Sequence, residues 1–330
     1  MLIPEGEVRY HPAGFDAELG PVLDDVRAGR WRSMRELLGD NPSWASRTAR
    51  SQVLAAAAAQ GDTVEAWCQE EPHHNAVMMR ARVAVQRALN AHRAGRRDDT
   101  AGLEDRARMA CAAAVRRWPA DPVPWVSLLA LAQVDTGERH RRPEHRAKPW
   151  EQLLPYGPWG LLHEVRRRDP LNREAWHRML QALQAYGEHT SDFVRWVSSW
   201  APEGSALAVL PLYVYADLFR SRQARGEITT LYWTSDPVPY YTRSALDRWF
   251  AHADPGSWSA LDLNYLAQAL CSGGFAEGAE VFSAIGDRPT PAPWKYVAPV
   301  PERWEESFLI ARGHYLPHVV DRPTHARPRR

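Results

Sequence analysis

Cysteine is scarce in this chain of 330 residues: Cys68, Cys111 and Cys271 are its three, widely separated and forming no C-x-x-C pair. An odd, sparse count argues against a disulfide framework and for a reducing compartment. Lysine is scarcer still. Lys148 and Lys295 are lysine, and the other 39 of the 41 basic residues are arginine. Isoleucine (four) and asparagine (five) are also few. All three residue types share AT-rich codons, so the pattern reflects a GC-rich genome, and arginine richness alone is not a sign of phosphate binding. An excess of charge is missing: the net charge is +1, so no global field recruits nucleic acid or an acidic membrane. Long apolar runs are missing as well. Leu207 to Ala216 is the longest, is interrupted by Pro211, and is too short to cross a bilayer. The start, Met1 to Gly6, has no charged segment leading into an apolar one, so no secretory signal and a cytoplasmic location are expected. Phosphate-binding G-x-x-x-x-G-K, dinucleotide-binding G-x-G-x-x-G, G-x-S-x-G and H-E-x-x-H are all lacking.

What is present is helical periodicity punctuated by proline. Hydrophobic content of 45% is enough for a core. Prolines at 72, 119, 170 and 202 stand at junctions between apolar stripes, 47, 51 and 32 residues apart. Proline stops one helix and opens the next because it lacks the N–H and fixes φ. Two junctions superpose without a gap at an offset of 51: Arg116-Arg117-Trp118-Pro119 runs on to Trp125, Leu128 and Leu129, and Arg167-Arg168-Asp169-Pro170 runs on to Trp176, Met179 and Leu180. Such self-similarity predicts helical hairpins stacked in series. Residues 1–18 read as an irregular arm and 19–286 as a helical repeat array with an insertion at 136–158. Residues 287–315 read as a Pro-rich, extended stretch plus a helix from Glu302 to His314 capping the array, and 316–330 as a basic disordered tail. Ser43 is the expected N-cap of a helix through Ala59.

The segment Leu266 to Leu270 followed by Gly274 to Phe282 resembles a tetratricopeptide repeat, with small residues where paired helices approach and an aromatic filling the groove. Trp67, Glu71-Pro72, Ala76 and Arg80, then Ala120 to Trp125, then Ile285-Gly286 and Pro293-Trp294 resemble tetratricopeptide-like proteins of actinobacteria. The resemblance covers most of residues 19–312. It implies an all-α fold of antiparallel helical hairpins, stacked as a tetratricopeptide-like α-solenoid with a right-handed curve. No activity is carried over with it.

Fifteen tryptophans are many. Trp31, Trp125, Trp176 and Trp249 have apolar partners at helical spacing and belong to the core. Trp150 and Trp159, at the end of the insertion, are less committed and are candidates to anchor a partner. Arg141 and Arg142 in the insertion, with Arg167 and Arg168 beyond it, would add a basic patch suited to an acidic protein or peptide. Nucleic acid is disfavoured by the balanced charge and the lack of a binding motif. The expected function is therefore a non-enzymatic adaptor for a protein or peptide, with no cofactor. The alternative is an enzyme or enzyme subunit with a metal or small-molecule site between helices. Its weak sign is Glu174 and His177, an E-x-x-H pair on one helix face; Trp176 should claim the inward side and turn His177 toward solvent or the helix edge. Cys111, among alanines, reads as a packed small hydrophobe. Asp217, inside the apolar run, reads as a buried carboxylate paired with an arginine from a neighbouring hairpin.

Overall fold

In the computed structural model, which describes residues 8, 10–39, 43–135, 137 and 142–316 (the side chain of Arg97 excepted), helices are the regular elements between Leu19 and Tyr315. Sixteen α-helices follow one another: α1 (Leu19–Arg27), α2 (Arg32–Gly39), α3 (Trp44–Ala58), α4 (Thr63–Glu70), α5 (His74–Arg93), α6 (Arg97–Arg117), α7 (Val123–Leu131) and α8 (Trp159–Arg166), then α9 (Arg173–Ala185), α10 (Ser191–Trp200), α11 (Leu210–Ala224), α12 (Val238–Ser244), α13 (Ala260–Ser272), α14 (Ala279–Ile285), α15 (Pro291–Val297) and α16 (Trp304–Tyr315). A π-helical turn, Ala245–Phe250, continues α12. Among the described residues there is no strand, only an isolated bridge between Ala147 and Gly157.

Local chemistry sets the helix ends. The Ser43 hydroxyl accepts from the Ser46 N–H at 3.1 Å, as its sequence position predicts. Proline occupies the first turn of α7, α11, α12 and α15, where no N–H is needed. Helices α1, α5, α9, α11 and α13 share one exit. Each runs into a glycine at positive φ (Gly29, Gly95, Gly187, Gly226, Gly274), and the next N–H returns to a carbonyl five residues back, as Arg96 does to Ala91 and Glu188 to Leu183. Only glycine takes that left-handed conformation without cost, so the turn is written in the sequence.

Contacts follow chain order. Helix α1 packs on α3, α3 on α5, α5 on α7 and α7 on α9; farther on, α11 packs on α13 and α13 on α15. The α5–α6 pair makes the most extensive contact. Buried apolar residues form four clusters along the chain: one centred on α1–α5, one on α5–α7, one on α7–α11 and one on α11–α16.

Three expectations need correction. Residues 291–297, expected to be extended, are helical in part as α15: Ala292 keeps an extended conformation (φ −87°, ψ 140°), and the turn beyond it is held by Trp294, which is buried with its indole donating to Asn264 at 2.7 Å. Asp217 is not buried. Its side chain is 41% exposed and pairs with Arg220 on its own helix, the apolar run being wide enough to cover only part of α11. The arm before α1 is anchored where it is described: Arg288 donates to the Gly14 carbonyl at 2.7 Å and Arg50 to Asp16 at 2.7 Å. Residues 317–330 of the proposed tail lie outside the described residues.

Candidate recognition site

A polar seam threads the odd-numbered helices. Arg47 on α3 donates to Asp121 at 2.7 and 3.1 Å, both side chains being almost wholly buried. Asp121 in turn caps α7 through the Val123 N–H at 2.8 Å. At the equivalent position 51 residues on, Asn172 caps α9 through the Ala175 N–H at 3.0 Å and reaches back to Thr48 on α3 at 3.1 Å. Arg82 on α5 and Arg178 on α9 then grip Glu174 from two sides. Burial works to raise the Glu174 pKa, but the two guanidiniums outweigh it and hold the carboxyl below its usual range. Farther on, Arg173 donates to Asp262 on α13 at 2.5 and 2.6 Å, and Tyr213 on α11 donates to the same carboxylate at 2.6 Å.

This seam absorbs the residues proposed for a metal. Both oxygens of Glu174 are committed to arginine. His177 is half-buried at the edge of α9: its ring meets Tyr213 edge-on with centroids 4.4 Å apart, and its Nε2 is buried with no partner. Burial, reinforced by Arg173 and Arg178, pushes its pKa well below the ordinary value, so the imidazole is neutral. Among the described residues no group of three or more His, Cys, Asp or Glu side chains is placed to hold a metal ion. Cys111 is fully buried, and burial pushes its thiol up to about 12, so it is protonated and inert.

The other predicted residues separate. Arg141 lies outside the described residues. Arg142 turns to α6, pairing with Glu104 at 3.2 Å and Asp105 at 2.9 Å. Arg168 is structural: it donates to the Pro119 carbonyl at 2.7 Å and to Glu164 at 2.8 Å, with its guanidinium over Trp125. Arg167 is exposed and pairs with Glu164 at 3.3 Å. Trp159 presents no surface; it is 1% exposed, donates to the Pro155 carbonyl at 2.9 Å, and packs on Phe193 and Trp196.

Trp150 stays at the surface, 38% exposed, with its ring edge-on to Trp159 at 5.0 Å. The loop that carries it is closed by a Gly157 N–H to Ala147 carbonyl bond of 3.1 Å. At Gly157 the loop crosses α9 so closely that a Cβ would stand 3.0 Å from Met179 and 3.1 Å from Leu183, so a larger residue would push those side chains aside. Leu154 is buried as an anchor, while Leu153 (90%) and Tyr156 (59%) are exposed in the same loop as Trp150.

Arg166, at the end of α8, is the residue that sequence reading left undistinguished within a run of arginines. Its guanidinium lies 4.6 Å from the Trp150 ring centroid and 5.6 Å from those of Trp176 and Trp200. Trp196 closes the group, 6.1 Å from Trp150 and 5.7 Å from Trp200. Burial alone shifts the Arg166 pKa, downward, because no carboxylate among the described residues faces it. Its Nε is buried without a partner. A planar cation stacked on indoles keeps its edge free for a planar anion. The signal available in sequence was the i+10 relation of Arg166 to Trp176, but nothing local could bring Trp150 and Trp200 to it.

Comparison of the chain with protein-family models, with curated proteins and with solved structures gives no match. No helix among the described residues is long and apolar enough to cross a membrane.

Proposed function

We propose that the chain is a non-enzymatic helical scaffold, a degenerate tetratricopeptide-like stack of hairpins, that binds a protein or peptide through a carboxylate on Arg166. The observation that carries this reading is the guanidinium held by three indoles and opposed by no acid among the described residues. A cation in that setting is weakly hydrated and pre-oriented, so an incoming carboxylate meets a fork that loses little freedom on binding. Trp150, Leu153 and Tyr156 supply the apolar contact that a peptide would bury next to it. The stacked arrangement is supported by the contacts between alternate helices, by the recurring glycine exit and by the matched capping roles of Asp121 and Asn172. Three unpaired cysteines are in keeping with a cytoplasmic setting.

The experiment is a titration of the intact protein with short acidic peptides containing an aromatic residue, read by tryptophan fluorescence. Wild type is expected to saturate. Arg166→Gln removes charge-assisted hydrogen bonds of about 1.5–3 kcal/mol, so affinity should fall by about ten- to a hundredfold. Arg166→Lys should recover part of it, because charge returns without the planar fork. Equal affinity in wild type and Arg166→Gln, with both folded, would remove this site.

A further inference from the structure

The insertion that carries Trp150 is fastened to α6 through a histidine. His145 ends a 3₁₀ turn, Pro143–His145, and its side chain has no exposed surface. Its Nδ1 lies 2.8 Å from an Asp135 oxygen, and its Nε2 lies 3.1 Å from an Arg108 Nη on α6. Arginine only donates, so Nε2 accepts and Nδ1 carries the proton that goes to Asp135. The neutral Nδ1–H tautomer is the one form of the ring that satisfies both neighbours. The same Asp135 oxygen accepts the Arg142 N–H at 2.7 Å, which holds the turn at a second point. Further charges stand around the turn. Arg108 pairs with Glu104 at 2.9 Å and Glu144 at 3.2 Å, and Arg142 pairs with Glu104 and Asp105. Helix α8, which packs against the turn, carries His163, Glu164 and Arg166.

We propose that His145 is a proton-operated pin: when its ring takes a second proton, the turn leaves α6 and loosens the loop that carries Trp150. The added proton has to sit on Nε2, facing the guanidinium. An accepted hydrogen bond then becomes two opposed donors on two cations, buried where water does not separate them. Burial, reinforced by Arg108, outweighs Asp135 and Glu144 and keeps the His145 pKa below the ordinary 6.5 while the turn is docked. Once the turn is off α6, the ring reaches water and titrates at the ordinary value. The open form thus binds a proton that the closed form refuses, and falling pH favours opening. The loop runs from this pin through Trp150 to Gly157, so opening also withdraws the ring that lies 4.6 Å from the Arg166 guanidinium. That consequence for binding rests on the Arg166 reading; the pin itself does not.

The test is amide hydrogen exchange on the full chain at pH 7.5 and 5.5, with rates corrected for the intrinsic effect of pH. The N–H groups of Arg142, Arg146 and Gly157, bonded to Asp135, Pro143 and Ala147, report the loop, and those of α5 serve as reference. In wild type the loop amides should exchange about tenfold faster at pH 5.5, as one group titrating at its ordinary value requires, while α5 stays protected. His145→Gln takes no proton and should show no such rise, whatever its protection at pH 7.5. Arg108→Gln replaces the opposing cation by an amide, whose oxygen can turn toward a protonated ring, and it too should show no rise. Equal loop exchange at the two pH values in wild type, or a tenfold rise in either variant, would overturn the pin. Titration with the acidic peptide at both pH values then tests the consequence. Affinity should fall at pH 5.5 in wild type and hold in Arg108→Gln. Wild-type affinity that holds while the loop amides open would overturn the link to Arg166, and failure of the peptide to bind at either pH would count against the Arg166 reading alone.

Discussion

His177 is a neutral imidazole packed on Tyr213 between Arg173 and Arg178, and this placement has a pH signature. Its pKa is far below the usual value of 6.5 in the folded protein, while the unfolded chain has the ordinary one. Above that value both states are neutral and no differential exists. As pH falls through it, the unfolded chain takes a proton that the folded protein refuses, so folding stability drops. His145 and His74 are shifted the same way, chiefly by burial, and add to the loss. The melting temperature should therefore decline between pH 7.5 and 5.5, and His177→Phe, which keeps the ring contact, should reduce the decline without abolishing it. A variant with the same decline as wild type would show that His177 does not titrate on unfolding. At this scale the sequence was readable in part. Trp176 and Cys111 were assigned to the core from their neighbours, and both are fully buried. His177 and Glu174 could not be, because their partners come from α5 and α11, far away in sequence.

Elements were the most legible level. Ser43, the junction prolines and the helix stripes located most helix ends, since caps, missing N–H groups and periodicity are local properties. The offset of 51 residues carries more than the tryptophans that revealed it. Asp121 and Asn172 hold equivalent positions, cap equivalent helices and both touch α3. They differ in charge, and so should their removal. Asn172→Ala loses a cap and a neutral contact, costing about 1–2 kcal/mol. Asp121→Ala loses a cap and also strands the buried Arg47, which raises the cost to about 3–5 kcal/mol. Chemical denaturation of the two variants measures both, and equal losses would mean that Arg47 finds solvent or another partner. The extended reading of 287–301 held only outside α15 and at Ala292, for a related reason: proline in a first helical turn and proline in an extended segment look alike until a buried neighbour such as Asn264 selects one.

For the whole molecule, long-range ties matter more than hairpin contacts. Arg173 bridges α9 to Asp262 on α13, and Arg288 reaches the Gly14 carbonyl near the other end of the chain. An array with only neighbour contacts unfolds in segments, whereas cross-ties make distant segments share one transition. Asp262→Asn leaves Arg173 without its counter-charge and weakens the bond from Tyr213. We expect wild type to unfold in one transition and this variant in two, with amide protection lost in α11–α16 before α5 and α6. Retention of one transition would show that the apolar clusters alone couple the halves.

The sequence by itself determined most of the helices, their glycine and proline boundaries and the tryptophan-filled core, because each depends on residues within a turn or two of one another. Only the tertiary structure decided which arginines are spent on acids and which are not. Arg47, Arg82, Arg142, Arg168 and Arg173 are bound to acids or carbonyls, while Arg166 is held by indoles from a loop, α9 and α10. Charge pairing is a property of distances in space, and neighbouring arginines of one run, identical in type, differ only in what the fold places against them.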